Sequence, residues 1–232
     1  MKQLSVPCFV SRRVLCAALG LCLLTAAAWA QNLSGDIFQY PLNRGNQGAM
    51  DAFLKTCSSL AQNPIVRGNF EQEKILSRLN RSLKSSGSFL ITKDDGMVWD
   101  TLRPYPSTLV LGRNYLVQFR PGGEKTVLSA AGNETFLRFA EVISAVFSGR
   151  PQGLLDNFEI YYRGDPTAWE LGLIPLDKAI KSSIERIAMA GNEAIRFIDI
   201  HEQNGDFITY SMLNISFSSE MIEHEKSFFQ IP

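Results

Sequence analysis

Few side chains in this sequence could do acid–base or metal chemistry, and their spacing is poor for it. There are two histidines, His201 and His224. Each lies in polar surroundings, and neither stands at metal-ligand spacing from a second His or a Cys. Both read as surface or strand-end residues, and no metal site is expected. Asp94 with Asp95, and Glu223 with Glu225, are the nearest carboxylate pairs for a general acid and base. Asp94-Asp95-Gly96 is also turn chemistry, because a short polar side chain can hydrogen-bond the backbone beside it. The glutamates lie in a charged tail segment. No G-x-S-x-G elbow and no phosphate-cradling glycine loop occurs. Asn32, Asn80, Asn133 and Asn214 each head an Asn-x-Ser/Thr triplet, at a frequency chance explains. The expectation is a binding protein, not an enzyme, that needs no cofactor.

The amino terminus points to export. Lys2, Arg12 and Arg13 precede an apolar run from Val14 to Ala28, and Ala28-Trp29-Ala30 is a small-residue cleavage pattern. The run is shorter than the ~20 residues a spanning helix needs. Cys16 and Cys22 follow leucines, which argues against a lipid-modified cysteine. Residues 1–30 are therefore expected to be a cleaved signal peptide, and 31–232 a single periplasmic domain. Of the four cysteines, Cys8, Cys16 and Cys22 would leave with that peptide, so Cys57 would have no internal partner. Stability must then come from burial, which a chain of this size can supply. Lys+Arg and Asp+Glu both number 23; removing three basic and no acidic residues leaves a mildly acidic protein. The densest basic stretch, Lys74 to Lys84, reads as the rim of a strand pair, and no nucleic-acid partner is expected.

Behind these residues stand short alternating runs broken by Gly, Pro, Asn and Asp. Gln31 to Gly48 has little periodicity and reads as a leader rather than a core element. Met50, Phe53, Leu54, Cys57, Leu60 and Ala61 recur at helical spacing until Asn63-Pro64. Strands are predicted at Ile65–Ser77, Leu83–Thr92, Met97–Thr101, Ser107–Leu111, Tyr115–Arg120, Lys125–Ser129, Phe158–Arg163, Ala168–Ile174, Ser183–Met189, Ala194–His201 and Phe207–Phe217, with turn-forming residues between them. A second helix is predicted from Glu134 to Phe147, with Asn133 as N-cap. Its apolar arc is so wide that it must be buried on both sides or lie across a cavity. Pro175 to Lys181 reads as a short helical turn. The fold class is mainly β with a few helices, α+β, built on one large curved antiparallel sheet.

The order of motifs resembles the periplasmic outer-membrane lipoprotein carrier family, the LolA-like proteins. The resemblance rests on Val66-Arg67-Gly68-Asn69-Phe70-Glu71-Gln72, Ser86-Gly87-Ser88-Phe89, and Val98-Trp99 followed by Pro104 and Ser107. It continues in Trp169-Glu170-Leu171-Gly172-Leu173-Ile174-Pro175 and in the ending Phe228 to Pro232. It implies an unclosed half-barrel whose concave apolar face is covered by lid helices. It also implies a periplasmic chaperone for the acyl chains of a lipoprotein or other lipid cargo, taken from an inner-membrane donor complex and passed to an outer-membrane acceptor. A monomer is expected. A lipid- or lipoprotein-sensing adaptor on the same scaffold is the alternative, since fold alone does not decide function. Strand alternation and helix face select Phe70, Phe89, Met97, Trp99, Leu109, Leu111, Phe119, Phe136, Phe139 and Ile143 as the lipid-binding set. Where the family carries a latch arginine on the loop before the tryptophan, this chain has Lys93, which lacks arginine's planar fork of donors.

Overall fold

Eleven strands form one antiparallel sheet in the order β6-β5-β4-β3-β2-β1-β11-β10-β9-β8-β7. The computed structural model describes residues 37–43, 45–112, 115–127, 142, 144–146 and 151–230. The strands are β1 (Ile65–Leu76), β2 (Arg81–Thr92), β3 (Met97–Arg103), β4 (Ser107–Leu111), β5 (Leu116–Phe119), β6 (Lys125–Val127), β7 (Phe158–Asp165), β8 (Ala168–Pro175), β9 (Ile184–Gly191), β10 (Ile195–Glu202) and β11 (Phe207–Ser218). Every strand expected from alternation is present, with ends shifted by a few residues. β1 to β6 step outward to one edge; the chain then returns to the far edge, and β7 to β11 step back until β11 pairs with β1. β6 and β7 are the two edges, so the sheet is a half-barrel and not a closed barrel.

Period-two alternation gives each face its own core. On the concave face Val66, Phe70, Phe89, Ile91, Met97, Trp99, Leu171, Ile187, Ile198 and Tyr210 join one cluster with Phe53, Cys57 and Leu60 of helix α1 (Gln47–Leu60). Asn46 caps α1, its side-chain oxygen accepting from the Ala49 N–H at 3.2 Å. The predicted helix at Glu134–Phe147 lies largely outside the described residues. Val142 and Ser144–Val146 within it are helical, and Val142 and Val146 are buried in the concave cluster. α2 (Gln152–Asn157) follows and contributes the buried Leu154. α3 (Lys178–Lys181) occupies the expected helical turn.

Two regions differ from expectation. The leader carries a 3-10 turn at Ile37–Gln39, with Ile37 buried and Phe38 edge-on to Tyr161 at 5.3 Å. The Leu42 N–H donates to the Ile160 carbonyl at 2.7 Å, and the Tyr162 N–H donates to the Tyr40 carbonyl at 3.0 Å. This stretch therefore covers part of the β7 edge, whose backbone groups would otherwise stand unpaired. The charged tail is the second difference: Glu223–Phe229 is a helix, α4. It lies against the convex-face cluster of Ile65, Leu90, Val98 and Val110, where Phe228 and Phe229 pack.

Candidate functional site

Cross-strand pairing builds the centre of the concave face. Phe70 of β1 stands opposite Gly87 of β2, and Phe89 of β2 stands opposite Gly68 of β1. A glycine has no side chain on that face, so the ring opposite can lie over the neighbouring backbone. A Cβ at Gly68 would stand 2.7 Å from the Phe89 ring, and one at Gly87 would stand 2.9 Å from the Phe70 ring. Trp99 of β3 pairs with Phe89, and its ring stacks on Phe70 with centroids 4.1 Å apart. Tyr210 of β11 closes the group edge-on to Trp99 at 5.5 Å. Such rings, buried here, offer a broad apolar area with few rotatable bonds, a suitable wall for flexible hydrocarbon.

Six residues of the expected lipid-binding set share this face. Phe70, Phe89, Met97 and Trp99 are buried, while Leu109 and Leu111 are partly buried against the same cluster. Phe119 falls on the opposite face. β4 and β5 pair Leu111 with Leu116 and Thr108 with Phe119, so odd positions of β4 share a face with even positions of β5. Phe119 accordingly packs with the convex cluster. Phe136, Phe139 and Ile143 lie outside the described residues. Tyr210 and Met212 belong to the concave cluster although neither is in the expected set. Extending the β11 alternation from Ile208 would have found them.

Among the described residues one polar pair is buried between α1 and the concave face. The Thr56 and Tyr162 hydroxyls hydrogen-bond at 2.7 Å. Burial pushes the Cys57 thiol up to about 12, which leaves too little thiolate for nucleophilic chemistry. Lys93, the residue at the latch position, donates through its ammonium to the Ala61 carbonyl at the C-terminus of α1, at 3.5 Å. It therefore touches a helix that packs on the concave face, but through one long hydrogen bond.

The remaining candidates for chemistry are scattered. Asp94 and Asp95 sit in the β2–β3 turn, where the Thr92 hydroxyl accepts from the backbone N–H groups of Asp95 and Gly96, each at 2.9 Å. His201 stacks on Phe207 on the convex side, and burial followed by Arg186 lowers its pKa. His224 packs against Phe228 of α4. Glu225 receives a two-point bond from Arg67 of β1, at 2.5 and 2.6 Å, and this holds its carboxyl below the usual range. Arg67 also donates to the Glu220 carbonyl at 2.9 Å. A cavity of about 270 Å³ remains beneath α4, lined by Leu90, Val98, Asp100 and Phe228 among others. Among the described residues no group of three His, Cys, Asp or Glu side chains could hold a metal ion.

Residues 64–230 match the family described as outer membrane lipoprotein carrier protein LolA. No curated protein matches the chain. Among solved structures, a LolA superfamily protein from Nitrosomonas europaea aligns with a TM-score of 0.47 at 9% identity, over 79% of this chain and 97% of that one. A putative outer membrane lipoprotein-sorting protein domain from Vibrio parahaemolyticus aligns with a TM-score of 0.40 at 11% identity, over 78% of this chain and all of the other. The MucA/MucB complex of Pseudomonas aeruginosa aligns with a TM-score of 0.38 at 13% identity, over 77% and 60%.

Proposed function

The chain belongs to the LolA family of outer membrane lipoprotein carrier proteins, and on that premise we propose that it is a periplasmic carrier for acylated cargo. In this reading residues 1–30 direct export and are removed. The monomeric domain that follows takes the acyl chains of a lipoprotein or related lipid from an inner-membrane donor complex and surrenders them to an outer-membrane acceptor. Phe70, Phe89, Met97, Trp99, Leu109 and Leu111 form the wall against which the chains lie. The same reading assigns lipid contact to Phe136, Phe139 and Ile143 as well.

The observation that carries this reading is the aromatic group on the concave face, where Phe70, Phe89, Trp99 and Tyr210 meet Val142 and Val146 in one apolar cluster. Burial of hydrocarbon contributes about 0.8 kcal/mol per methylene and is non-directional. Acyl chains can therefore replace the apolar cover at modest net cost, as a carrier that must also release its cargo requires. Lys93 adds a single bond to α1, so opening of the cover need not break a two-point bond at this position.

Native mass spectrometry of the protein from a periplasmic extract, followed by organic extraction of whatever is bound, tests the proposal. A stoichiometric acylated species is expected. An apo mass that persists after incubation with lipoprotein and phospholipid would reject carriage and favour the sensing adaptor.

A further inference from the structure

Between Lys74 and Lys84 the chain sets Lys74, Arg78, Arg81 and Lys84 among Ile75, Leu76, Leu79 and Leu83. This basic run is a local concentration of charge in a chain that balances 23 basic against 23 acidic residues overall. The fold collects it at one place. β1 and β2 remain paired out to Leu76 and Arg81, a 3-10 turn at Ser77–Leu79 joins them, and Asn80 takes a left-handed φ of 48° to complete the reversal.

On one side the tip runs past its neighbouring strand. β3 pairs with β2 only as far as Ser86 opposite Arg103, so Arg81 to Ser85 run past the neighbouring strand, an overhang of roughly 17 Å at the usual strand rise. On its other side the hairpin is braced by the β10–β11 turn. The Ser77 N–H donates to Asp206 at 2.9 Å, the Ser77 hydroxyl donates to the Gly205 carbonyl at 2.5 Å, and Lys74 donates to both Glu202 oxygens at 2.9 and 3.0 Å. The tip is thus held in one position by the β10–β11 turn.

Ser77 through Lys84 are all exposed, with Leu79 at 65% and Leu83 at 53%. Lys84 approaches Glu73 only at 3.7 Å, and among the described residues Arg78 and Arg81 meet no acidic partner. Exposed leucines spaced between Arg78, Arg81 and the loosely paired Lys84 are poorly suited to water alone. They match a surface that offers phosphates in one layer and hydrocarbon just beneath it.

We propose that the β1–β2 tip is a membrane-surface contact. Leu79 and Leu83 enter the interfacial layer of an anionic phospholipid bilayer, and Arg78, Arg81 and Lys84 pair with its headgroup phosphates. This goes beyond the carrier reading and does not depend on what the concave face holds.

Co-sedimentation of the exported protein, recovered from the periplasm, with vesicles tests it, comparing phosphatidylcholine alone with phosphatidylcholine containing phosphatidylglycerol. Binding is expected only with phosphatidylglycerol present, weakening between low and high salt as screening shortens. The triple variant R78Q/R81Q/K84Q should lose affinity by about fivefold for each cation removed, and L79S/L83S should also bind more weakly. Both variants should keep the parent circular-dichroism melt, because the substituted side chains are exposed. Absence of binding to anionic vesicles, or binding that these substitutions leave unchanged, overturns the proposal; the second result would assign the contact to another part of the chain.

Discussion

On the convex face α4 is held by directional bonds: Arg67 grips Glu225 at two points and the Tyr115 hydroxyl donates to the Phe229 carbonyl at 3.1 Å, while the N-cap Ile222 N–H donates to the same Glu225 carboxylate at 3.0 Å. On the concave face, by contrast, the described contacts of α1, Val142 and Val146 with the sheet are apolar apart from the Thr56–Tyr162 and Lys93–Ala61 hydrogen bonds. Among the described residues, one sheet thus carries a strap that charge-assisted geometry keeps in register and a cover whose contacts are mainly apolar. Directional bonds are lost when their partners shift by an ångström. Apolar contacts can be exchanged for those of another hydrocarbon. The difference separates a face suited to permanent closure from one suited to exchange.

Removing an aromatic from the concave centre strains this contrast most. Phe70→Ala should cost about 3–5 kcal/mol in urea denaturation, the usual range for a large side chain deleted from a packed core. A cost below about 1 kcal/mol would mean the rings are not packed as the main core of this face. Phe70→Leu, which keeps most of the volume, should retain the fold.

Cutting the convex clamp should have an intermediate effect. Arg67→Ala leaves Glu225 without its guanidinium and should destabilise the protein by about 1–2 kcal/mol, near the range for hydrogen bonds to charged groups at a partly exposed site. The clamp also has a pH signature. The folded-state pKa of Glu225 is depressed, chiefly by its hydrogen bond to Arg67. Its contribution is therefore fully present above the ordinary value of 4.5 and is lost as pH falls through the lower folded value. Glu225→Gln should flatten that part of the acid-unfolding curve; an unchanged curve would show that the clamp adds nothing. Lys93→Ala should have the smallest effect, under about 0.5 kcal/mol, because an exposed single-donor contact is worth little. A larger loss would show that Lys93 fastens the concave cover after all.

What the sequence reveals follows from how local each signal is. β2 and β3 are legible because Phe89, Ile91, Met97 and Trp99 alternate cleanly between turn residues, and the Gly68–Phe89 and Gly87–Phe70 pairs leave their imprint as glycine two residues from phenylalanine on each strand. α4 is not legible. Its Phe228 and Phe229 are adjacent rather than three or four apart, and the residue that fixes it, Arg67, lies far upstream in the chain. Ile37 and Phe38 have no periodic neighbours; their burial depends on β7 and β8, including the space that Gly172 leaves beside Phe38. Phe119 shows the limit of alternation within one strand: the period identifies two faces, but only the pairing across β4 and β5 says which is concave.

The central claim is that acyl chains occupy the concave face beside Trp99. Its most direct test is fluorescence quenching by a brominated acyl ligand in a W29F/W169F variant, where Trp99 is the sole tryptophan. Bromine quenches only at near contact, so saturable loss of Trp99 emission, absent with the brominated headgroup analogue lacking the chain, is the predicted result. Emission that is unaffected while the ligand demonstrably binds would place the hydrocarbon elsewhere and contradict the account.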